Sequence, residues 1–374
     1  MQEAAVHYQV LGAAFAVALV LGAVMRRTNF CTMGAVSDWI NMDDLGRLRA
    51  WLLAMAVAIA GVLALEAAAL ASIGRDTLPP YRGASFAWLR YAVGGFVFGV
   101  GMTLASGCGV KTLVRTGGGN LKSLVVAAFL AAVVYLMYTT RLFELSVTSW
   151  SEPATLDLAR FGINGQDLGA LIGAWTGLEA ARAQLAAGVA LVAVLLWFVF
   201  KSRDFRASFD HILAGIVVGL AVVIGWYLTA GPLGAEWREY AIMAGEQRPL
   251  RVGAQSFTFT SPIGDAARYL AQPGDLRLLT FGVVAVGGVV LGAALQGLAS
   301  GGLRLEWFAS GRDFAAHAAG GVLMGLGGFA AMGCTIGQGV SGVSTLALGS
   351  FIAVAAMIAG AALTMKIQYR LLDA

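Results

Sequence analysis

Charge is what this chain has least of. Only 12% of its 374 residues are Asp, Glu, Lys or Arg, about half the share of an ordinary soluble domain. Hydrophobic residues make up 59%. There is too little polar surface to clothe a water-soluble body, so a soluble globule is excluded and a lipid bilayer is the expected surrounding. Cysteine is nearly as scarce: Cys31, Cys108 and Cys334 form no CxxC and lie in apolar, Gly-rich sequence, which excludes a secreted disulfide framework. The net charge of +4, spread along the chain, points to no nucleic-acid partner. No Lys or Arg precedes the first apolar run, whereas Arg26 and Arg27 follow it. This is the reverse of a cleavable signal, and the first segment is expected to be retained. Against seven prolines stand 50 glycines with no collagen-like period, an excess that must serve close packing or broken backbone.

Windows matched to a hydrocarbon thickness of about 30 Å give nine spans: Tyr8 to Met25, Trp51 to Ile73, Leu89 to Ala105, Leu121 to Tyr138, Leu185 to Phe200, Ile212 to Thr229, Leu278 to Leu298, Phe314 to Ala331 and Leu346 to Met365. The expected fold is an all-α polytopic membrane protein. With the N-terminus outside and the C-terminus cytoplasmic, 14 of the 25 basic residues fall in cytoplasmic segments. The rest lie mainly in two long loops, Thr139 to Ala183 and Ala230 to Arg277, which count little in the positive-inside rule. Within the second loop, Gln255 to Thr260 reads as a surface excursion. Trp39, Trp51, Trp88, Trp150, Trp226 and Trp307 sit near span ends, as an interfacial belt would place them. His211 and His317 read as interfacial too.

A constant offset of 226 superposes Gly94, Gly95, Gly99 and Gly101 on Gly320, Gly321, Gly325 and Gly327, and carries Gly107-Cys108 onto Gly333-Cys334. The copies lie on spans three and eight, five crossings apart, so they run oppositely through the membrane. A weaker likeness sets span one against span six, with Gly231 to Gly234 opposite Thr28 to Cys31 and no partner for the third cysteine. The implied plan is one membrane domain, 1–374, built 4+1+4: a first repeat 1–140, a connecting loop and linker helix 141–209, and an inverted second repeat 210–374. Secondary transporters share this plan, with sites at discontinuous helices near the midplane.

Span three measures only about 22 Å of helix from Tyr91 to Ala105. It then meets Ser106-Gly107-Cys108-Gly109-Val110-Lys111-Thr112, whose glycines suit a left-handed break. Gly333-Cys334-Thr335-Ile336-Gly337-Gln338-Gly339 repeats the pattern, and Thr28-Asn29-Phe30-Cys31-Thr32-Met33-Gly34 is a third polar interruption. Non-helical backbone at membrane depth is tolerated only where protein or a water-filled cavity satisfies it, so each break should line a path. The helices restarting at Gly107 to Gly109 and Gly333 to Thr335 would aim positive dipole ends inward, a match for an anion, with Lys111 and Arg115 at the inner mouth. A thiol's soft sulfur favours a sulfur-bearing anion over phosphate. The candidate substrate-binding residues are therefore Cys31, Cys108, Cys334, Asn29, Gly107, Gly109, Lys111, Gly333, Thr335 and Gln338.

A single membrane cysteine is ordinarily a packing residue, but all three here sit in polar or Gly-rich interruptions, which argues for a shared role. The rival metal site lacks a nearby histidine and faces unfavourable helix dipoles. Redox chemistry would want a vicinal or CxxC pair. No cofactor, metal or catalytic residue is expected. Glu66, deep in span two, reads equally as functional or as a protonated structural group.

The strings Arg27-Thr-Asn-Phe-Cys31-Thr-Met-Gly-Ala-Val-Ser-Asp-Trp39, Ala105-Ser-Gly-Cys108-Gly and Met332-Gly-Cys334-Thr-Ile-Gly-Gln338-Gly resemble the YeeE/YedE family of sulfur transport proteins across nearly the whole chain. That resemblance implies a bacterial inner-membrane protein of nine membrane helices with short re-entrant ones, importing thiosulfate or a related sulfur or selenium species. It nominates Cys31, Cys108 and Cys334 as substrate-contacting thiols. It also implies a small cytoplasmic sulfur carrier of the TusA type as a partner, expected as a separate protein because little sequence follows Met365. The alternative it leaves open is a membrane sulfurtransferase forming a cysteine persulfide.

Overall fold

The computed structural model describes residues 2–372. Six helices form its first part: α1 (Gln2–Arg27), α2 (Thr32–Met42), α3 (Gly46–Ala67), α4 (Trp88–Leu104), α5 (Gly109–Gly117) and α6 (Leu121–Thr139). A connecting stretch holds α7 (Ser149–Ser151), α8 (Leu168–Thr176), α9 (Ala180–Phe200) and α10 (Arg203–Ala207). Then come α11 (Phe209–Ala230), α12 (Pro232–Met243), α13 (Thr260–Ala271), α14 (Phe281–Ala299), α15 (Gly311–Ala330) and α16 (Leu348–Leu372). Two residue pairs, Ser85–Phe86 and Leu156–Asp157, make a small antiparallel bridge between loops. The chain is an all-α, multi-pass membrane protein.

Among the described residues, eight helical stretches are long and apolar enough to cross a bilayer. The ninth expected span, α15, has 20 residues but is less apolar, with Arg312, Asp313 and His317 in its first two turns. It lies between α4, α6 and α13, and so meets protein where other spans meet lipid. The connecting helix α9 does the opposite, exposing Val189, Val194 and Trp197 along an outward face suited to acyl chains. Span two is shorter than its hydropathy predicts. Its helix stops at Ala67, and Ala69 turns left-handed at φ 54°.

Glycine lets α4 and α15 approach closely. A methyl on Gly94 would come 2.5 Å from the Ala331 amide and 2.8 Å from the Gly327 carbonyl oxygen, and one on Gly101 2.8 Å from that of Gly320. Seen from α15, a methyl on Gly320 would lie 2.7 Å from the Gly101 oxygen and one on Gly327 2.6 Å from the Gly94 oxygen. Two facing glycine pairs thus bring the antiparallel helices α4 and α15 backbone to backbone, in the small-residue manner of membrane interfaces.

Around this pair the packing partners come in exchanged sets. α4 packs on α16 and α15 on α6; α1 packs on α14 and α11 on α3. The short helix α2 rests on α3 and α16, while α13 rests on α14 and α6. In packing it is therefore α13, and not the start of α12 at Pro232, that stands where α2 stands. Hydropathy mispairs them because α12 intervenes against α1 and α11.

The run Gln255 to Thr260 is no surface excursion. Gln255, Ser256, Phe257, Phe259 and Thr260 are buried. Hydrogen bonds carry the segment inward: Thr229 Oγ1 to the Gln255 carbonyl at 2.5 Å, Ser256 Oγ to that of Val222 at 2.8 Å, and Ser341 Oγ to that of Phe257 at 2.6 Å. Polar backbone can enter the core only with such partners. The tryptophans divide similarly. Trp39, Trp88 and Trp307 are exposed as a belt requires, but Trp51 and Trp226 are 1% and 0% exposed and belong to the core.

Candidate functional site

The three cysteines occupy one local device used three times. Helices α1, α4 and α15 each end in a left-handed residue: Asn29 (φ 53°), Ser106 (φ 54°) and Met332 (φ 58°). The next amide then reaches back to close the last turn, Phe30 to Met25 at 3.2 Å, Gly107 to Met102 at 2.9 Å and Gly333 to Gly328 at 2.8 Å. This is the Schellman way of ending a helix. One residue later stands the cysteine, in extended conformation at Cys31 and Cys108, with a new helical turn starting behind it. Cys31 and Cys108 therefore sit at N-cap positions, whereas Cys334 stands three residues before the π-helical turn Gly337–Gly342, which Ile336 caps. The Gly34 amide donates to Cys31 Sγ at 3.3 Å, and the Gly337 amide to Cys334 Sγ at 3.4 Å.

The glycines were expected to take the left-handed positions, and they do not. Residues with side chains hold them, at a cost of roughly 1–2 kcal/mol each, a strain that concentrates at functional sites. Gly107 and Gly333 fall one residue later, where a methyl would meet the Arg115 side chain at 3.5 Å and that of Gln338 at 3.2 Å.

These breaks meet. Cys31 and Cys108 stand side by side, with Thr32 and Thr335 beside the Cys108 thiol. Thr32 Oγ1 donates to Thr335 Oγ1 at 2.8 Å, tying the first break to the third. A methyl on Gly109 would touch the Cys334 side chain at 3.8 Å, so the second and third also adjoin. All three thiols are free and buried, 4%, 0% and 0% exposed. Among the described residues no three His, Cys, Asp or Glu side chains gather as a metal site would require.

Lys111, three residues beyond Cys108, is 5% exposed, and its ammonium donates to the Asn29 side-chain carbonyl across the first two breaks. Below them opens a cavity of about 410 Å³ lined by Arg26, Arg27, Asn29, Lys111, Arg115 and Gln296, among others. Arg115 also donates to the Ser106 carbonyl at 2.6 Å. The site is thus closed above a basic mouth by a lysine–asparagine contact.

The third break is arranged differently. Gln338 is buried and engaged at both ends of its amide, donating to the Ala331 carbonyl at 2.6 Å and accepting from Ser350 Oγ at 2.6 Å. It braces a π-helical turn, Gly337–Gly342, whose first carbonyl accepts from Tyr81 Oη at 2.7 Å. Glu66 is an ion-pair partner of Arg82, which also donates to the carbonyls of Ile73 and Thr345 and so ties α3 to the chain beyond this turn. Hydroxyls that sequence reading passed over gather here. Thr258 Oγ1 and Thr260 Oγ1 are buried without a hydrogen-bond partner among the described residues, a loss of about 1–3 kcal/mol apiece. Tyr81 and Thr32 were equally missed. Nothing in their local sequence distinguishes them from packing residues.

Residues 27–363 match the family model described as sulphur transport. The chain belongs to that family. Two relatives are each named thiosulfate transporter TsuA. The one from Escherichia coli (strain K12) is 25% identical over 362 residues, covering 91% of this chain and 89% of its own length. The one from Spirochaeta thermophila is 26% identical over 346 residues, covering 90% and 92%. The family match begins at Arg27 and includes all three breaks.

Proposed function

We propose that this protein is a permease of the bacterial inner membrane that imports a sulfur-containing anion, thiosulfate foremost, past Cys31, Cys108 and Cys334. The observation that carries the reading is the meeting of three buried thiols at three helix breaks, above a cavity lined by three arginines and a lysine. The names of the two relatives point the same way. Helix starts supply partial positive charge, the thiols supply soft contacts for a terminal sulfur, and Lys111 supplies a full charge on one side. Weak S–H···S contacts hold the ion loosely enough to let it move on, which a conduction path needs.

The exchanged packing sets and the facing glycine pairs support reading 1–140 and 210–374 as inverted repeats joined by 141–209. The basic mouth supports a cytoplasmic position for the Lys111 side, hence an external N-terminus and a cytoplasmic C-terminus. A separate TusA-like carrier would receive the sulfur there.

The test is flux. Purified protein in proteoliposomes, given thiosulfate labelled in its terminal sulfur, should accumulate label and be inhibited by unlabelled thiosulfate but not by phosphate. Empty-vesicle rates would overturn the reading. A mass increase of one sulfur on a cysteine, without label inside, would replace it by the sulfurtransferase.

A further inference from the structure

We propose that Thr258 is a fourth station of this path, a hydroxyl that binds the oxygen end of the substrate beside Cys334; the inference rests on the transport reading above. Its first support is position. An offset of 227 lays Phe30, Val36 and Asp38 on Phe257, Ile263 and Asp265, and it lays Cys31 on Thr258. Both aspartates are paired with arginine, Asp38 with Arg47 and Asp265 with Arg251 at 2.8 Å. The helices that follow, α2 and α13, pack on exchanged partners. By this offset Thr258 matches Cys31, one residue before Phe259, the cap of α13, and it lies against Gly337 of the Cys334 break.

The second support is an unanswered donor. Thr258 Oγ1 has no hydrogen-bond partner among the described residues and lies against Gly337, the residue whose amide caps Cys334 Sγ. Any side chain at 337 would run into that hydroxyl, and the position equivalent to Gly337 in the other break is Lys111. Two residues on, Thr260 is 0% exposed and its Oγ1 is also unpartnered, lying 2.6 Å from where a methyl on Gly328 would be. Two unanswered hydroxyls thus flank the two ends of the Cys334 break. Buried hydroxyls ordinarily find partners, so a pair left without protein partners is free to donate to a ligand's oxygens.

The third support is chemical. Thiosulfate has one soft terminal sulfur and three hard oxygens. A thiol suits the first and a hydroxyl donor the second. A station of Cys334 with Thr258 would grip both ends of the ion without any net charge. The station of Cys31 with Cys108 offers two sulfurs, and Lys111 supplies the charge.

The experiment compares Thr258→Val, Thr258→Ser and Thr258→Cys with wild type in the labelled-thiosulfate proteoliposome assay, using unlabelled thiosulfate and hydrosulfide as competitors. Thr258→Val should raise the half-saturating thiosulfate concentration about tenfold or more, and Thr258→Ser should restore it to within about twofold. Hydrosulfide, which has no oxygens, should compete equally well against wild type and Thr258→Val. Thr258→Cys, which keeps the volume, should weaken thiosulfate as the valine does and keeps the test valid if the valine variant does not insert. An unchanged half-saturation in Thr258→Val or Thr258→Cys, or a loss that strikes hydrosulfide as strongly as thiosulfate, would overturn the station while leaving the transport reading intact. Absence of uptake by wild type overturns the transport reading first, and the station with it.

Discussion

The breaks at Cys108 and Cys334 have the same backbone and opposite surroundings. Each has a left-handed residue two positions before the cysteine and an amide reaching back to close the preceding turn. Three residues after the cysteine they part. Lys111 stands at one, bound to Asn29 over a basic cavity, and Gly337 at the other, bare and filled by Thr258. One break is followed by the nine-residue helix α5, the other by a buried π-helical turn braced by Gln338 and Tyr81. A shared backbone device thus fixes where the thiols stand, and the residues around it decide which break carries charge. On the proposed path, an anion passing from the neutral break to the one bearing Lys111 would move toward positive charge.

The broadest test of the comparison removes what the breaks share. Cys108→Ala and Cys334→Ala should each reduce thiosulfate uptake at least about a hundredfold, to empty-vesicle rates, with normal membrane insertion by size-exclusion in detergent. If only one abolishes uptake, the two stations are not in series.

Next comes the contact that holds the two breaks in register. Gly94→Val should cost about 1–3 kcal/mol of stability through overpacking against Ala331 and Gly327, read as a lower thermal midpoint in detergent. Gly101→Val should do the same against Gly320, and similar shifts at the two positions would support two-fold packing.

What separates the breaks is tested by Lys111→Met. Uptake should fall about tenfold at low substrate and recover partly at saturating substrate. The reciprocal change, Gly337→Lys, should not transplant the charge, because Thr258 occupies the space. The smallest effect is expected from Ser106→Gly and Met332→Gly. Each relieves left-handed strain but adds backbone freedom to the unfolded chain, so each should stabilise by at most about 1 kcal/mol. Equal shifts would confirm that the two backbones are equivalent in energy as in shape.

Much of this was legible beforehand. Hydropathy is a local property, and it located the helices from Tyr8 to Met365, including α15, whose polar first turns place it below a span threshold. Cysteines set among glycines and small polar residues were likewise visible, as was the family they resemble. The errors have one cause. Which residue takes a positive φ, whether Gln255 to Thr260 lies inside or outside, and whether Trp51 and Trp226 face lipid or core all depend on what packs against them. A window of sequence does not contain its neighbours.

By itself, then, the sequence determined that the chain lives in a membrane, that its helices break at three cysteines, and that glycine would serve both packing and interruption, because low charge and residue order act along the chain. Only the tertiary structure decided that the left-handed positions belong to Asn29, Ser106 and Met332, that Gln338 is a brace, and that Thr258 and Thr260, packed against Gly337 and Gly328, have hydroxyls without a partner among the described residues. Those are facts of backbone geometry and side-chain contact that residue order alone does not display, and contact is what folding adds.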